Sequence, residues 1–526
     1  MLPSIVTNKK ARLSKSAPSA PHPHNNQNKR ILPVLTRPGH KTMQSAPPTG
    51  RLKKAPSRIK LRGSPAALSP RHKRVAISTH KTTTFNYTIL PGNNTRVVMN
   101  CFRLRPWWRS NPKVIPTNHF IWEMFRNRNR YKTKKYRRVM LNHIQRNHAL
   151  VTKNGLYLSL KAYCTTAGIE LSTIVPQTFY LSSSPDGGDR DTELEEFVAF
   201  NKEASGGEGT SGEEIIWILK PAFAANQGCG IRVVSGLEEC LQVVGCQRMS
   251  PRRPQKVSLE DEKMDVEEEE EEEEDVDEEG GSGGKRRAPR TTEWIVQRYM
   301  KEPLLVRGRK FDIRCFVLVV LKNSSKLLPD GSPEGPVLKA YLYSDGYVRT
   351  SGKKYTLNNL SDRETHLTND AVQKKAKNYG KFESANKLNY EQFQDVINQD
   401  YPSAPAGVVQ GKILPQIKYQ VIVSLRAAKD KLEDTFINKS FELLGYDFMV
   451  DADFESTLIE INSNPSLEMS GEILEDMIPR MVENTFQLSI DALMPPPASN
   501  GARSQKVQEC IDCIESMENR YVDLMI

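Results

Sequence analysis

No Asp or Glu occurs among the first 122 residues of this 526-residue chain. No apolar stretch approaches roughly 18 residues without a charge, which excludes a transmembrane helix. An apolar segment near the start is also lacking, so no secretory signal is expected. Eight cysteines are too sparse for a disulfide framework, and a reducing, intracellular compartment fits them best. Apolar residues are scarce, at 38%, and the mean hydropathy is −0.56. Much of that deficit sits in two biased tracts, and the remainder is ample for a core. At roughly 100–200 residues per domain, the length predicts two to four domains or subdomains.

The net charge of +12 hides an asymmetry. Residues 1–122 carry 23 Lys or Arg and no acid, and the remaining residues sum to −11. A basic arm on a mildly acidic body predicts a polyanionic partner: nucleic acid, an anionic membrane surface or an acidic protein surface. Residues 1–82 lack hydrophobic periodicity and are expected to be a disordered basic tail. A mitochondrial transit peptide is the competing reading, but Pro18, Pro21 and Pro23 oppose a targeting helix. Residues 260–279 hold 16 acids and one Lys, and the self-repelling tract 247–290 is read as a solvated insert.

The segments between these tracts mix strands and helices. Alternation predicts a strand at Phe85–Ile89, and a helix is expected around Val97–Phe102. Met140–Tyr163 reads as helical material, and a short helix carries Phe197 and Phe200. Strands are predicted at Ile215–Leu219, Trp294–Met300, Phe311–Leu321 and Ala340–Thr350, with Asp345-Gly346 as a tight hairpin turn. Helices follow at about 387–399 and 410–430, then a hairpin pairs Phe448–Val450 with Leu458–Ile461. A final amphipathic helix spans about 471–492, bent at Pro479. The fold class implied is α+β or α/β, and α+β is the expectation taken forward. The divisions are 83–165, an N-terminal α/β domain; 166–300, a central domain carrying the insert; 301–498, a C-terminal domain; and 499–526, an extension.

Three places carry chemistry. Residues two apart on a strand share a face, so Glu460 and Asn462 point together, opposite Ile459 and Ile461. If 451–456 form the loop, Val450 pairs with Thr457 and Asp447 falls opposite Glu460. Facing carboxylates are destabilising without a cation between them, and an Asp, a Glu and an amide oxygen suit Mg²⁺ beside nucleotide phosphates. The alternative is that Asp447 starts a turn and Glu460 is solvated. On the run Lys310–Arg314, Lys310, Asp312 and Arg314 share one face, while Phe311, Ile313 and Cys315 line the other. That face suits the polar groups of a nucleotide plus a carboxylate, or it is a structural ion-pair ladder. Lys220 is delivered by a strand into a loop holding Gly228 and Gly230, which either cradles phosphate or is an ordinary hairpin turn. Arg349 and His366–Asn369 offer further donors for a phosphate or carboxylate, or they cap a helix or pair at the surface. Cys510 and Cys513 form a lone CxxC, better read as an incidental pair than as a zinc site.

Together these residues resemble the tubulin–tyrosine ligase and tubulin–tyrosine-ligase-like family. The resemblance runs from about Asn94 to Pro497. It includes Arg-Pro-Trp-Trp (105–108), Leu-Asn-His (141–143), Gly-Cys-Gly-Ile (228–231), Val-Gln-Arg-Tyr (296–299) and Arg-Lys-Phe-Asp-Ile-Arg (309–314). It continues through Tyr-Ser-Asp-Gly-Tyr-Val-Arg-Thr (343–350), His-Leu-Thr-Asn (366–369), Gly-Tyr-Asp-Phe-Met-Val-Asp (445–451) and Leu-Ile-Glu-Ile-Asn-Ser-Asn-Pro-Ser (458–466). His366–Asn386 and Glu195–Trp217 look closest to the tyrosine ligase itself, whereas Asn462–Ser466 looks more like the glutamate- and glycine-adding members.

The resemblance implies an ATP-grasp-type fold with a small N-terminal α/β domain, with ATP and Mg²⁺ as cofactors. It implies that Lys153, Lys220 and Lys310 reach phosphates, with the loop glycines Gly228 and Gly230 beside them. Gln297, Arg298, Tyr299 and Met300 would line the adenine, and Asp312 would hold the ribose. Asp447, Glu460 and Asn462 would hold Mg²⁺, and Arg314, Arg349, Thr368 and Asn369 would lie around the phosphates and the acceptor carboxylate. Catalysis is assigned to Arg314, Arg349 and Glu460. The activity implied is tyrosine addition to the C-terminal glutamate of α-tubulin through an acyl phosphate. The alternatives are a glutamylase or glycylase, or a catalytically silent microtubule-binding protein. The partners expected are α-tubulin and a free amino acid, with neither nucleic acid nor membrane. The location expected is cytoplasmic and cytoskeletal, including flagella or cilia.

Overall fold

The computed structural model describes residues 84–92, 95–182, 189–204, 214–222, 230–245, 293–323, 335–435, 437, 439–496 and 505–526. The expected basic tail 1–82 and acidic insert 247–290 lie outside these residues. Four short strands open the described chain: β1 (Phe85–Ile89), β2 (Trp108–Ser110), β3 (Phe120–Trp122) and β4 (Met140–Leu141). A second group comprises β5 (Thr178–Ser182), β6 (Ile216–Pro221), β7 (Arg232–Ser235) and β8 (Glu293–Arg298). The rest are β9 (Arg309–Asn323), β10 (Pro336–Lys354), β11 (Lys387–Leu388), β12 (Lys439–Val450), β13 (Ser456–Asn462) and β14 (Tyr521–Asp523).

Two sheets result. The larger has ten strands along the path β11-β10-β9-β12-β4-β3-β1-β2, with β13 on β12 and β14 on β10. Its first strands run parallel, and β9, β10, β12 and β13 run antiparallel. Strands from 83–165 and from 301–498 therefore share one sheet, joined where β4 meets β12 at Leu141 and Ser440. The smaller sheet is antiparallel, ordered β5-β8-β6-β7, with its own core around Phe179, Phe197, Trp217 and Val296.

Strand β9 explains why the large sheet is covered on both sides. Phe311, Ile313, Cys315, Val317, Val319 and Leu321 enter one core, with Leu156 and Leu160 of helix Lys153–Ala167 and Val421 and Leu425 of helix Leu414–Glu433. Phe316, Leu318 and Val320 enter the other, against Val98 and Phe102 of helix Thr95–Arg103 and Met477, Met481 and Phe486 of helix Glu472–Phe486. A strand apolar on both faces is a central strand. Lys310, Asp312 and Arg314 continue the face of Phe316 and Leu318, so this core gives way to charge at the mouth of β9.

Two expectations are corrected. Met140–Tyr163 is not helical throughout: Met140-Leu141 is a strand, and helices occupy His148–Val151 and Lys153–Ala167. Asp345-Gly346 is not a hairpin turn, because β10 runs unbroken from Pro336 to Lys354. A bulge between Leu342 and Gly346 resets the alternation there, and in the sequence that reset reads as a turn. Gly346 is required by close approach. A Cβ there would lie 2.6 Å from the Arg314 carbonyl oxygen and would strike the Tyr390 hydroxyl. Gly346→Ala is expected to lower stability by about 1–3 kcal/mol, measured by urea unfolding, and to reduce activity through displacement of Arg314. Wild-type unfolding would contradict the packing argument.

Candidate active site

The charged residues meet across adjacent strands. Asp312 on β9 is the register partner of Arg349 on β10, and Asp447 on β12 faces both Arg314 on β9 and Glu460 on β13. Arg349 Nε donates to Asp312 Oδ1 at 2.6 Å, and its Nη2 lies 2.9 Å from Asp447 Oδ2. Arg314 reaches both Asp447 oxygens, at 2.5 and 2.9 Å. Thr368 Oγ1 donates to Asp312 Oδ2. Gly445 leaves room for this fork, since a Cβ there would lie 3.2 Å from Arg314 Nη1. The ion-pair ladder is thus present, and it is continuous with the carboxylates of β12 and β13.

The expected facing of Asp447 and Glu460 arises by another route. Val450 pairs with Ser456, not Thr457, and Met449 pairs with Thr457. A bulge beside Phe448 then restores the register, so that Asp447 meets Glu460. Asn462 completes the group, its Nδ2 lying 3.3 Å from both Asp447 Oδ2 and Glu460 Oε1.

Burial would raise the Asp447 pKa, but Arg314 and Arg349 more than offset it and hold this carboxyl well below the usual range. Glu460 moves the other way. Burial and the facing Asp447 carboxylate raise its pKa, against the pull of Lys220 and Lys153. Two acids forced together in this way, with an amide beside them, fit a hard divalent cation. An amide rotation would present the Asn462 oxygen to such an ion.

Three lysines converge on the same place from different elements. Lys153 opens helix Lys153–Ala167, Lys220 lies on β6 and Lys310 on β9. Lys220 is 5% exposed and Lys310 4%. Lys220 Nζ donates to Gln297 Oε1 at 2.5 Å, and Gln297 Nε2 donates to Thr178 Oγ1 at 3.0 Å. Burial lowers Lys220 to about 8, with Glu460 opposing and the Lys153 charge adding. Burial lowers Lys310 to about 7, against the pull of Asp312 and with the Lys220 charge adding. Lys153 is lowered by burial and drawn back by Glu460. Buried cations this close are costly unless an anion joins them.

Lys310 Nζ donates to Tyr299 Oη at 2.9 Å and sits 4.3 Å from that ring's centroid. The Tyr299 hydroxyl lies 2.8 Å from His366 Nδ1, while His366 Nε2 is 2.9 Å from the Asn359 carbonyl oxygen. A carbonyl only accepts, so Nε2 carries the proton and Nδ1 accepts from Tyr299, whose oxygen is left to accept from Lys310. His366 therefore aims Lys310 through Tyr299, and it is not a free donor for a phosphate or carboxylate.

The remaining expected residues are less central. The Arg298 side chain is exposed, Met300 is half-buried beside it, and Asn369 stands at the N-cap of the short helix Asp370–Gln373 without a capping hydrogen bond from its side chain. Gly230 has φ +69° at the start of β7, and Gly228 lies outside the described residues. Cys510 and Cys513 lie one turn apart on helix Gln505–Ser516, half-buried and exposed respectively. Sequence reasoning missed Lys387, the register partner of Arg349, which is buried and lies 3.1 Å from Asp370 Oδ2. It also missed Asn359, which acts through a backbone carbonyl and leaves no sequence signal.

A model of the tubulin-tyrosine ligase family matches residues 131–500. The chain belongs to that family. Among similar proteins, tubulin glycylase 3C of Tetrahymena thermophila is 30% identical over 53% of this chain and 21% of its own length. Mouse tubulin monoglycylase TTLL3 is 28% identical over 55% of this chain and 26% of its length. Rat protein polyglycylase TTLL10 is 24% identical over 76% of this chain and 52% of its length. The chain thus spans about half or less of these family members. Among the described residues, no helix is long and apolar enough to cross a membrane.

Proposed function

We propose that this chain is an ATP-dependent carboxylate–amine ligase with an ATP-grasp-type site, which adds glycine to glutamate side chains in the acidic tails of tubulin. The observation that carries it is the gathering of Lys153 and Lys220 about the Glu460 and Asp447 carboxylates, with Lys310 beside Lys220 and Asp312. Lysines of this kind suit the phosphates of ATP, and the β12–β13 acids suit Mg²⁺, which when bound would neutralise charge on the transferred phosphoryl group. Arg314 and Arg349, already gripping carboxylates, suit an acceptor carboxylate brought beside them. In the reaction proposed, an acceptor carboxylate oxygen attacks the γ-phosphorus and ADP leaves. The glycine amine then attacks the acyl carbon, phosphate leaves, and an amide remains. The contribution of the chain is positioning and charge stabilisation.

The amino acid expected from the sequence was tyrosine. The glycylase names of the relatives, together with the form of Asn462–Ser466, support glycine instead. Microtubules and the cytoskeleton are the setting that follows. The test is parallel incorporation of labelled glycine, glutamate and tyrosine into tubulin with Mg-ATP. Glycine on tail side chains is expected. Tyrosine confined to the α-chain terminus would restore the first expectation, and no incorporation above the Glu460→Gln control would overturn the ligase reading.

The lysines also predict a pH dependence. Lys310 and Lys220 fall to about 7 and about 8, from an ordinary value of 10.5. Between about pH 7 and 10 the folded chain therefore binds fewer protons than the unfolded chain, so this contribution to stability rises with pH. Phosphate favours the charged lysines, so ATP affinity runs the opposite way, weakening about tenfold or more from pH 6.5 to 9. Titration calorimetry across that range checks it, and a flat profile would contradict it.

A further inference from the structure

The last residues of the chain wrap the edge of the large sheet. Ile511 and Ile514 of helix Gln505–Ser516 enter the core that holds Met477 and Phe486. Strand β14 then pairs with Tyr341, Leu342 and Tyr343 of β10, and Leu524, 3% exposed, enters the core on the opposite face. Helix Glu472–Phe486 fixes the crossing. Asn484 Oδ1 accepts from the Arg520 amide at 3.3 Å, and the Tyr521 hydroxyl lies 3.0 Å from Thr485 Oγ1. The Tyr521 ring meets the Tyr343 ring edge-on at 4.9 Å. This strap lies beyond the residues that the family model matches.

The strap touches β10 where its register changes. Leu342 is paired with Val317 on β9, and the next pair is Gly346 with Cys315. Tyr343, Ser344 and Asp345 therefore stand across from Phe316 alone. Beyond that bulge Tyr347 meets Arg314 and Arg349 meets Asp312. Had the register of Leu342 continued unbroken, Tyr347 would meet Asp312 and Arg349 would meet Lys310, cation against cation. A slip of two residues keeps every side chain on its own face, so the hydrophobic pattern does not resist it. What grips the bulge must hold the register. Arg520 grips two successive residues of it: its carbonyl oxygen accepts from the Ser344 amide at 2.9 Å, and its Nη1 lies 2.7 Å from Asp345 Oδ2. Arg480 stands 3.9 Å from the same oxygen, but it is already paired with Asp476 on its own helix.

We propose that Arg520 is a positioning residue: from the C-terminal strap it pins the β10 bulge and so sets Arg349 opposite Asp312 and within reach of Asp447. It touches neither nucleotide nor acceptor and acts through Asp345, the bulge and Arg349. The claim about register stands on the strand pairing. Its consequence for turnover rests on the ligase reading, in which Arg349 meets the acceptor carboxylate.

The test compares Arg520→Ala, Arg520→Lys and Lys339→Gln in the full chain. The last removes an ion pair between β10 and the strap, Lys339 with Asp523 at 3.7 Å, that lies away from the bulge. Hydrogen exchange is the first readout and needs no activity. In Arg520→Ala the amides of residues 344–349 are expected to exchange about three- to tenfold faster, while those of β12 keep their protection. Turnover is the second. Arg520→Ala is expected to lower kcat about tenfold, with the KM for ATP and the thermal shift given by Mg-ATP unchanged. Arg520→Lys keeps the charge beside Asp345 and should restore most of both, and Lys339→Gln should match wild type in both. Unchanged exchange at residues 344–349, faster exchange spread equally over β9, β10 and β12, or a Lys339→Gln variant as impaired as Arg520→Ala would overturn the proposal. Faster exchange at the bulge alone, in a chain whose wild type shows no ligation, would sink the proposed function and leave the positioning claim standing.

Discussion

Replacing Glu460 by Gln is expected to lower ligation about 10²–10³-fold, the scale of losing one preorganised electrostatic contact in a transition state. The fold should survive, because the change removes a repulsion. Glu460 lies against Asp447, and its pKa is raised by burial and by that neighbour. The metal-free variant should therefore melt no lower than wild type at neutral pH, and its response to Mg-ATP should be lost. Differential scanning fluorimetry with and without Mg-ATP, beside a turnover assay, separates these effects. A variant with near-normal turnover would remove Glu460 from the metal site. A variant that melts well below wild type would make Glu460 structural.

Replacing Arg105 by Ala should cost about 3–5 kcal/mol, the usual penalty for breaking a buried ion pair from one side. Arg105 is fully buried and sits 5.2 Å from the Phe486 ring centroid. It donates to the Cys101 carbonyl oxygen at 2.8 Å, to Glu483 Oε1 at 2.6 Å and to Asp491 through Nε at 2.8 Å. One guanidinium thereby ties the segment after helix Thr95–Arg103 to helix Glu472–Phe486 and the turn that follows it. Its loss leaves two carboxylates facing each other without a cation. Burial raises the Asp491 carboxyl against the pull of Arg105, so without Arg105 it protonates sooner as the pH falls, and the gap from wild type should narrow in acid. Arg105→Lys keeps the charge but not the fork and should fall between the two. Urea unfolding at two pH values measures this, and a cost independent of pH would contradict it.

How much of this site could be read from the chain depends on how local each constraint is. The charged face of Lys310, Asp312 and Arg314 was legible because a strand repeats every two residues. The pairing of Asp447 with Glu460 was also expected, but the hairpin reaches it through a shorter loop and a bulge beside Phe448. The same blindness to bulges turned Asp345-Gly346 into a hairpin that does not exist. Lys220 was visible as a strand end, yet Gln297, which holds it, lies on β8, beyond the insert. The relay from Asn359 through His366 and Tyr299 to Lys310 left no trace, since its first link is a main-chain oxygen. The three-residue strand β14, which covers β10 near the chain's end, is too short to show a period.

The account centres on a carboxylate being activated by ATP at this site. The direct measurement uses an acceptor peptide whose glutamate carboxylate carries ¹⁸O in both positions. Ligation with Mg-ATP and glycine is followed by mass spectrometry of the released phosphate. An acyl phosphate leaves one carboxylate oxygen on phosphorus, so the account predicts one ¹⁸O in each phosphate formed with product and one retained in the new amide. Phosphate free of ¹⁸O, with ligation proceeding, would contradict it.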